Sequence, residues 1–369
     1  MSGRKKIFFV IPTLTQGGAE RVFVTLINHL DRKLFSVSLI VINMRDEMYL
    51  EEIRDDVRIV DLNRKHVRTA LPNLIFCLWK FKPDIVISTM GYLNLAIGIF
   101  RFAMPKNIVF FARETIVVSE RLQRIKIPRL WSFWYRRYYP RFKRVICQSR
   151  DMLNDLSRLI GSPQNLVLIN NAVDVRSIRK LSLATNSEVD DFFYDKDRIC
   201  LAAAGRLIEQ KGFEILIEAI SKVADRRLKL AILGDGPLKN KLSDLIVKLG
   251  IERNVFLVGH QDNPYPWIAR ADAFVLSSLY EGFPNVLLES LVCKTPLIST
   301  PAPGGTKEII ERVPGCILAT AVSSSALAEA IARFINTKPL EIHENAFEPY
   351  KVENIVQKYQ DTFMELNAR

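Results

Sequence analysis

Two carboxylates, Glu281 and Glu289, bracket the run Gly282-Phe283-Pro284-Asn285-Val286 in "YEGFPNVLLE". The preceding "DAFVLSS" reads as a buried strand, and Pro284 suits the first turn of a helix because it has no N–H to leave unpaired. Glu281 then falls in the loop at the strand's end. Glu289 lies about a turn and a half into the helix, and the N–H groups of roughly Phe283 to Val286 form a ready anion site between the two acids. One acid reaches what sits before the helix, the other what sits beside it, and a phosphate fits between them.

Other residues point to the same kind of ligand. "GRLIEQKGF" places Gly205 and Arg206 at a strand's end and Lys211 at the far side of the loop. A guanidinium fork and an ammonium point charge suit a diphosphate, although a solvated Arg and Lys would look the same in sequence. Gly234-Asp235-Gly236-Pro237 is a tight turn that would keep the floor of a cleft free of side chains, and it also reads simply as a turn. Gly17 and Gly18, in "PTLTQGGAERV", allow close backbone approach to an anion at a helix start or make a plain strand-to-helix turn. They match neither the dinucleotide fingerprint nor a Walker loop.

Nothing calls for a metal or a resident cofactor. The five cysteines are scattered and the four histidines form no paired motif. Asp195-Lys196-Asp197 has the Asp-x-Asp spacing of a metal site, but it sits in a polar stretch rather than after a strand and reads as chance. Departure of a diphosphate builds negative charge that fixed cations and a helix N-terminus can stabilise without a metal.

The elements that must hold these residues follow from hydrophobic pattern. A chain of 369 residues favours two cores over one. "KIFFVIP", "SVSLIVIN", "RIVDL", "PDIVIST", "NIVFFA" and "RVICQS" read as strands of a parallel sheet covered on both faces, with helices between several of them. "ICLAAAGR", "KLAILGDG", "NVFLVGH", "AFVLSS" and "TPLIST" repeat the plan. The expectation is an α/β protein of two doubly wound Rossmann-like domains with a cleft between them. Residues 1–182 form the first domain, 183–197 a polar linker, and 198–349 the second domain. Residues 350–369 form a last helix that could pack on either domain. In such sheets ligands bind outside the carboxyl ends of the strands, where the residues named above fall.

The apolar run Ile7 to Ile11 is too short for a secretory leader, and no stretch reaches the roughly 20 apolar residues of a membrane span. The cysteines read as reduced thiols in a cytosol.

Glu281 and Glu289 with "GRLIEQKG" upstream, "GDGP", and a Gly-Gly turn after the first strand resemble the retaining family 4 glycosyltransferases of GT-B fold. The resemblance runs from "GGAER" to "PGGTKEII". It implies a nucleotide-sugar donor, UDP-sugar favoured, bound mainly by the second domain. Arg206 and Lys211 would hold the diphosphate, Glu289 the ribose, Glu281 the hydroxyls of the sugar, and the backbone around Gly259 and His260 the base. Gly17 and Gly18 would line the acceptor and phosphate side. Many relatives carry a histidine after the strand that here reads "IVFFARET"; this chain has Arg113 and Glu114, either of which could face acceptor or donor sugar.

Charge is lopsided. Residues 1–180 hold 31 Lys and Arg against 15 Asp and Glu, while the whole chain is +12, so the remainder is net −4. Residues 121–144 contain nine Lys or Arg and no acid, interleaved with Trp131, Phe133, Trp134, Tyr135, Tyr138, Tyr139 and Phe142. That is the composition of a segment lying on anionic lipid, of a helix whose rings pack inward, or of a nucleic-acid face; no other nucleic-acid module is present. The expected function is transfer of a hexose or N-acetylhexosamine to a glycan acceptor, lipid-linked, at the cytoplasmic face of a membrane. The alternatives are a UDP-sugar epimerase of similar fold and a basic lipid- or nucleic-acid-binding module without activity.

Overall fold

The computed structural model describes residues 3–15, 17–44, 49–161, 163–184, 187–337 and 340–365. The chain forms two compact units, 1–172 with 352–369, and 173–351.

The first unit is a seven-stranded parallel sheet, β1 (Lys5–Ile11), β2 (Phe35–Val41), β3 (Arg58–Asp61), β4 (Ile85–Thr89), β5 (Val109–Arg113), β6 (Arg144–Cys147) and β7 (Leu166–Leu168), in the order β3-β2-β1-β4-β5-β6-β7. Its helices are α1 (Gly18–His29), α2 (Val67–Phe81), α3 (Gly91–Phe100), α4 (Val118–Leu122), α5 (Pro128–Tyr138) and α6 (Arg150–Ile160). The second unit carries α7 (Val175–Ser182), α8 (Ser187–Phe192), α9 (Phe213–Val223), α10 (Lys239–Leu249), α11 (Tyr265–Arg270), α12 (Asn285–Val292), α13 (Thr306–Ile310) and α14 (Ser324–Ile335). They cover a six-stranded parallel sheet of β8 (Ile199–Ala204), β9 (Leu228–Leu233), β10 (Val255–Gly259), β11 (Ala273–Leu276), β12 (Leu297–Ser299) and β13 (Ile317–Leu318), ordered β10-β9-β8-β11-β12-β13. The last helix, α15 (Val352–Met364), belongs to the first unit.

Both sheets are buried on both faces, which is why their strands read as continuous apolar runs. Along β1, Phe8 and Val10 join one core while Ile7, Phe9 and Ile11 join the other. In β8 the smaller Cys200 and Ala202 face one side, Leu201 and Ala203 the opposite one. Strand order reverses between β1 and β4 and again between β8 and β11. Those two reversals open a crevice at the carboxyl edge of each sheet.

Two expectations about boundaries are corrected. Residues 183–197 are no free linker: α8 lies in this stretch, Val189 is fully buried, and Phe192 and Phe193 pack their rings on Trp267 at 5.3 and 6.1 Å. A polar sequence hid three apolar anchors spaced for one short helix. The second unit accordingly begins at Val173, where the backbone N–H donates to the carbonyl of Tyr350 at 2.8 Å. Strands β7 and β13 were absent from the sequence reading because at three and two residues they carry too little pattern.

Helix α15 closes the first unit's second core. Phe363 sets its ring against Phe111 at 5.1 Å and Phe35 at 6.1 Å, and Gln360 accepts the backbone N–H of Asp31 at 2.7 Å. Replacing Phe363 by alanine removes a fully buried ring packed on Phe35 and Phe111. The expected cost is about 3–5 kcal/mol of unfolding free energy, read from the shift of the urea midpoint.

Candidate active site

In the second unit the residues of interest gather at the reversal between β8 and β11. After β8 the chain passes Gly205 and the exposed Arg206, then makes a 3₁₀ turn over Glu209–Lys211. Gly212 follows with φ +60, and a Cβ there would stand 2.2 Å from the carbonyl oxygen of Ser277. Only glycine permits both the left-handed backbone and this close pass. The contact presses the turn against the loop after β11, and side chains lace the two together. Ser277 Oγ donates to the carbonyl of Lys211 at 2.9 Å, Gln210 Nε2 to that of Tyr280 at 3.0 Å, and the Leu279 N–H to that of Gln210 at 2.8 Å.

This lacing aligns Lys211 with Glu281. The ammonium meets Glu281 Oε1 at 2.6 Å, and Ser278 Oγ donates to the same oxygen at 2.7 Å. Glu281 is buried and Lys211 half-buried, so the pair is only partly screened by water. The loop 300–305 completes the wall. The N–H of Glu281 donates to Pro303, and Gly304 passes so close that a Cβ would lie 2.4 Å from the Glu281 carbonyl oxygen.

Helix α12 starts directly after this wall, with Pro284 as its N-cap rather than in its first turn. Phe283 does not face the crevice with its ring, which packs on Tyr350 at 5.5 Å; only its backbone belongs to the site. Gly282 is buried, Asn285, Val286 and Glu289 are half-buried, and the first-turn N–H groups of Asn285 and Val286 open the helix. Gly234 ends β9, its N–H donating to Gly259 at 2.7 Å. Gly259 ends β10 with φ +91, and the exposed His260 holds Asp262 at 3.2 Å. Asp195 and Asp197 lie elsewhere: Asp195 accepts from Arg198 and from the Asp197 N–H in a local turn. Among the described residues no cluster of three metal-ligating side chains occurs.

The first unit places Gly17, Gly18, Arg113 and Glu114 at the corresponding edge. Gly17 caps α1, and a Cβ on it would stand 2.2 Å from Oε2 of the buried Glu20, a residue the sequence reading passed over. Arg113 is turned wholly inward. Its guanidinium donates to Asn171 at 2.6 Å and Thr89 at 3.3 Å and lies over the ring of Phe23, and burial depresses its pKa, offset in part by Tyr359. Glu114 is also enclosed. Tyr139 donates its hydroxyl to Oε1, Asn94 Nδ2 stands at 3.5 Å, and Gln148 donates to the Glu114 carbonyl. Asn94 and Tyr139 come from α3 and the turn after α5, separations that no local sequence signal bridges. Tyr135, from the inner face of α5, brings its buried hydroxyl to Gly91, where a Cβ would meet it at 2.3 Å.

The segment 121–144 divides its aromatic residues between inside and outside. Tyr135, Tyr139 and Phe142 belong to the core, Trp131, Trp134 and Tyr138 are half-buried, and Phe133 is exposed beside Ile127 and Leu130. Lys126, Arg129, Arg137 and Lys143 stand in water on the outer face.

The two parallel α/β units follow the GT-B plan, with an ion pair and a helix start at the strand reversal of one of them. The glycosyl transferases group 1 family matches residues 186–350 and glycosyltransferase family 4 matches residues 16–177. A Campylobacter jejuni protein named N-acetylgalactosamine-N,N'-diacetylbacillosaminyl-diphospho-undecaprenol 4-alpha-N-acetylgalactosaminyltransferase is 30% identical over 317 residues, 83% of this chain and 83% of that one. An uncharacterized glycosyltransferase of Methanocaldococcus jannaschii, MJ1059, is 32% identical over 242 residues, 63% of this chain and 59% of that protein. Anabaena HepE, solved with UDP and glucose, superposes with a TM-score of 0.80 at 18% identity over 98% of this chain and all of that one. The chain belongs to the glycosyltransferases of group 1 and family 4.

Burial raises the pKa of Glu114 from its ordinary 4.5 to about 7, against the opposing pull of Arg121. Between those values the folded protein keeps a proton that the unfolded chain has lost, so this carboxyl's contribution to stability falls as pH rises through the window. Glu114→Gln has no such proton. The urea midpoint of the wild type, taken relative to that of the variant, should therefore drop between pH 4.5 and 7, and a pH-independent difference would contradict the burial argument.

Proposed function

We propose that the chain transfers a hexose or N-acetylhexosamine from a UDP-sugar, with retention of configuration and without a metal, to a lipid-linked glycan at the cytoplasmic face of a membrane, in surface polysaccharide assembly. The observation that carries this reading is the pairing of Lys211 with Glu281 beside Arg206 and the start of α12, all at one strand reversal. An ammonium already held in place can turn to a diphosphate without paying the full ordering cost of a free lysine side chain. The name of the Campylobacter relative, a transferase onto a diphospho-undecaprenol-linked sugar, supports the acceptor class, and HepE with its bound UDP supports the donor base.

Each residue takes one role in this reading. Lys211 and Arg206 neutralise the departing diphosphate, assisted by the first-turn N–H groups of α12. Glu281 orients Lys211 and accepts from hydroxyls of the donor sugar, while Glu289 accepts from the ribose. The backbone at Gly205, Gly234, Gly259 and His260 borders the nucleoside, and Gly17 and Gly18 line the acceptor side. Glu114 faces the acceptor through the network of Asn94 and Tyr139. Arg113, held by Asn171 and Thr89, positions the end of β5.

Lys211→Ala and Arg206→Ala should each lower kcat/KM by roughly 10²-fold or more in a buffer containing chelator, with the overall fold retained and, for Lys211→Ala alone, the loops after β8, β11 and β12 loosened. The same assay, followed by NMR of the product anomer, checks retention. Near wild-type rates in both variants would remove this loop from the diphosphate site.

The outer cations of 121–144 should attract anionic lipid at about 1 kcal/mol each near the surface, fading as salt rises. Replacing Lys126, Arg129, Arg137 and Lys143 by Gln is expected to remove the salt-sensitive part of sedimentation with anionic vesicles while a short water-soluble acceptor is still glycosylated. Undiminished sedimentation would assign the segment to packing alone.

A further inference from the structure

Four large rings that have no part in the site described above stand in water on the first unit. Phe76 is 65% exposed, Trp79 53%, Phe100 38% and Phe102 78%. They form one patch. Phe76 and Trp79 are three residues apart on α2 and share a face. Trp79 Nε1 donates at 2.9 Å to the carbonyl of Ala103, the residue after Phe102, and the rings of Phe100 and Phe102 lie 6.1 Å apart. Helix α3, which leads into this turn, packs against α2.

The turn that displays them is tied to its neighbours. Arg101, between the two phenylalanines, lays its guanidinium 4.4 Å over Phe110 and donates to the carbonyls of Pro105 and Ile108 at 3.1 and 3.0 Å. One turn is thus tied down by an indole and a guanidinium while its rings point outward. Contiguous exposed apolar surface of this kind marks a site of burial against something else.

Charge identifies the occupant. Between Asp61 and Glu114 the chain has a single acid, Asp84, which accepts the backbone N–H of Lys6 at 2.8 Å. Exposed Lys80, Lys82 and Lys106 adjoin the patch in sequence. Aromatic rings with flanking cations, and a single acid in this stretch that is already held by a backbone N–H, match the headgroup and upper acyl layers of an anionic bilayer, where rings sit at the boundary and ammonium groups reach the phosphates.

We propose that Phe76, Trp79, Phe100 and Phe102 insert into the interface of an anionic phospholipid bilayer, as a membrane contact separate from 121–144. The two contacts flank α3: Arg141 Nη1 donates to the Gly98 carbonyl at 3.4 Å, so the basic segment and the aromatic turn are joined to one helix. The proposal shares the membrane-surface setting of the proposed function but does not need the basic segment, because ring insertion is apolar and survives salt.

The test uses the full chain and vesicles of phosphatidylglycerol and phosphatidylcholine at low and high salt. Phe76→Ser combined with Phe102→Ser changes only exposed positions. Salt-resistant sedimentation should fall about tenfold or more, with soluble-acceptor glycosylation retained. In a Trp131→Phe, Trp134→Phe background, emission from Trp79 should be quenched by lipid brominated on its acyl chains, Trp267 being buried in the other unit. Unchanged salt-resistant binding, or no quenching, overturns the proposal. So does loss of self-association in sedimentation velocity without loss of lipid binding, which would make the patch an interface between copies. Failure of the basic-segment reading appears elsewhere, as a salt-sensitive part of binding that the four-residue Gln variant leaves intact.

Discussion

The second unit's crevice rests on an ammonium and a carboxylate 2.6 Å apart in a place water only partly reaches. Removing charges from water is costly, and a pair recovers that cost only when its geometry is tight and further donors complete it. Here Ser278 supplies the further donor, and two glycines let the backbone come close enough for the pair to form. Loops from β8, from β11 and from β12 therefore meet at one point. Losing either partner would strand the other charge and loosen three segments together, which is why binding chemistry and local stability are inseparable at Lys211 and Glu281.

The first unit handles its charges differently. Arg113 and Glu114 are adjacent in sequence but have separate partner sets, one reaching Thr89 and Asn171, the other Tyr139, Asn94 and Gln148. Burial acts on both against the charged form, and only hydrogen bonding and neighbouring charge oppose it. A carboxyl with a pKa near 7 is adjustable by small changes around it. Those surroundings are built from α3 and α5, which also carry residues to the protein's basic and aromatic surface. Anything that shifts α5 moves Tyr135 and Tyr139 at the carboxyl edge.

Most of the strands were legible from apolar runs bounded by turns, because a sheet covered on both faces leaves that signature in every central strand. The position of Glu281 at a strand's end was legible for the same reason, as was the glycine-rich character of the loops around it. Its partnership with Lys211 was not, since the two are 70 residues apart and only the lacing through Ser277 and Gln210 brings them together. The inward turn of Arg113 escaped for a similar reason: Asn171 is 58 residues distant and sequence gives no burial. In 121–144 composition named both possible fates of the aromatic residues, and the fold divides them between the two. The polar stretch 183–197 misled because three apolar anchors are too few to raise its average.

The second unit is spelled out between two parts of the first, and α15 is made after it. At about 5–20 residues per second, a ribosome spends roughly 10–35 s on residues 173–351. Through that interval the core that Tyr359 and Phe363 seal lies open, with Phe35 and Phe111 lacking their cover. The second unit can finish folding while the first still waits for its lid. Covering Phe35 and Phe111 is therefore the last step in closing the first unit's core, taken only once α15 has emerged.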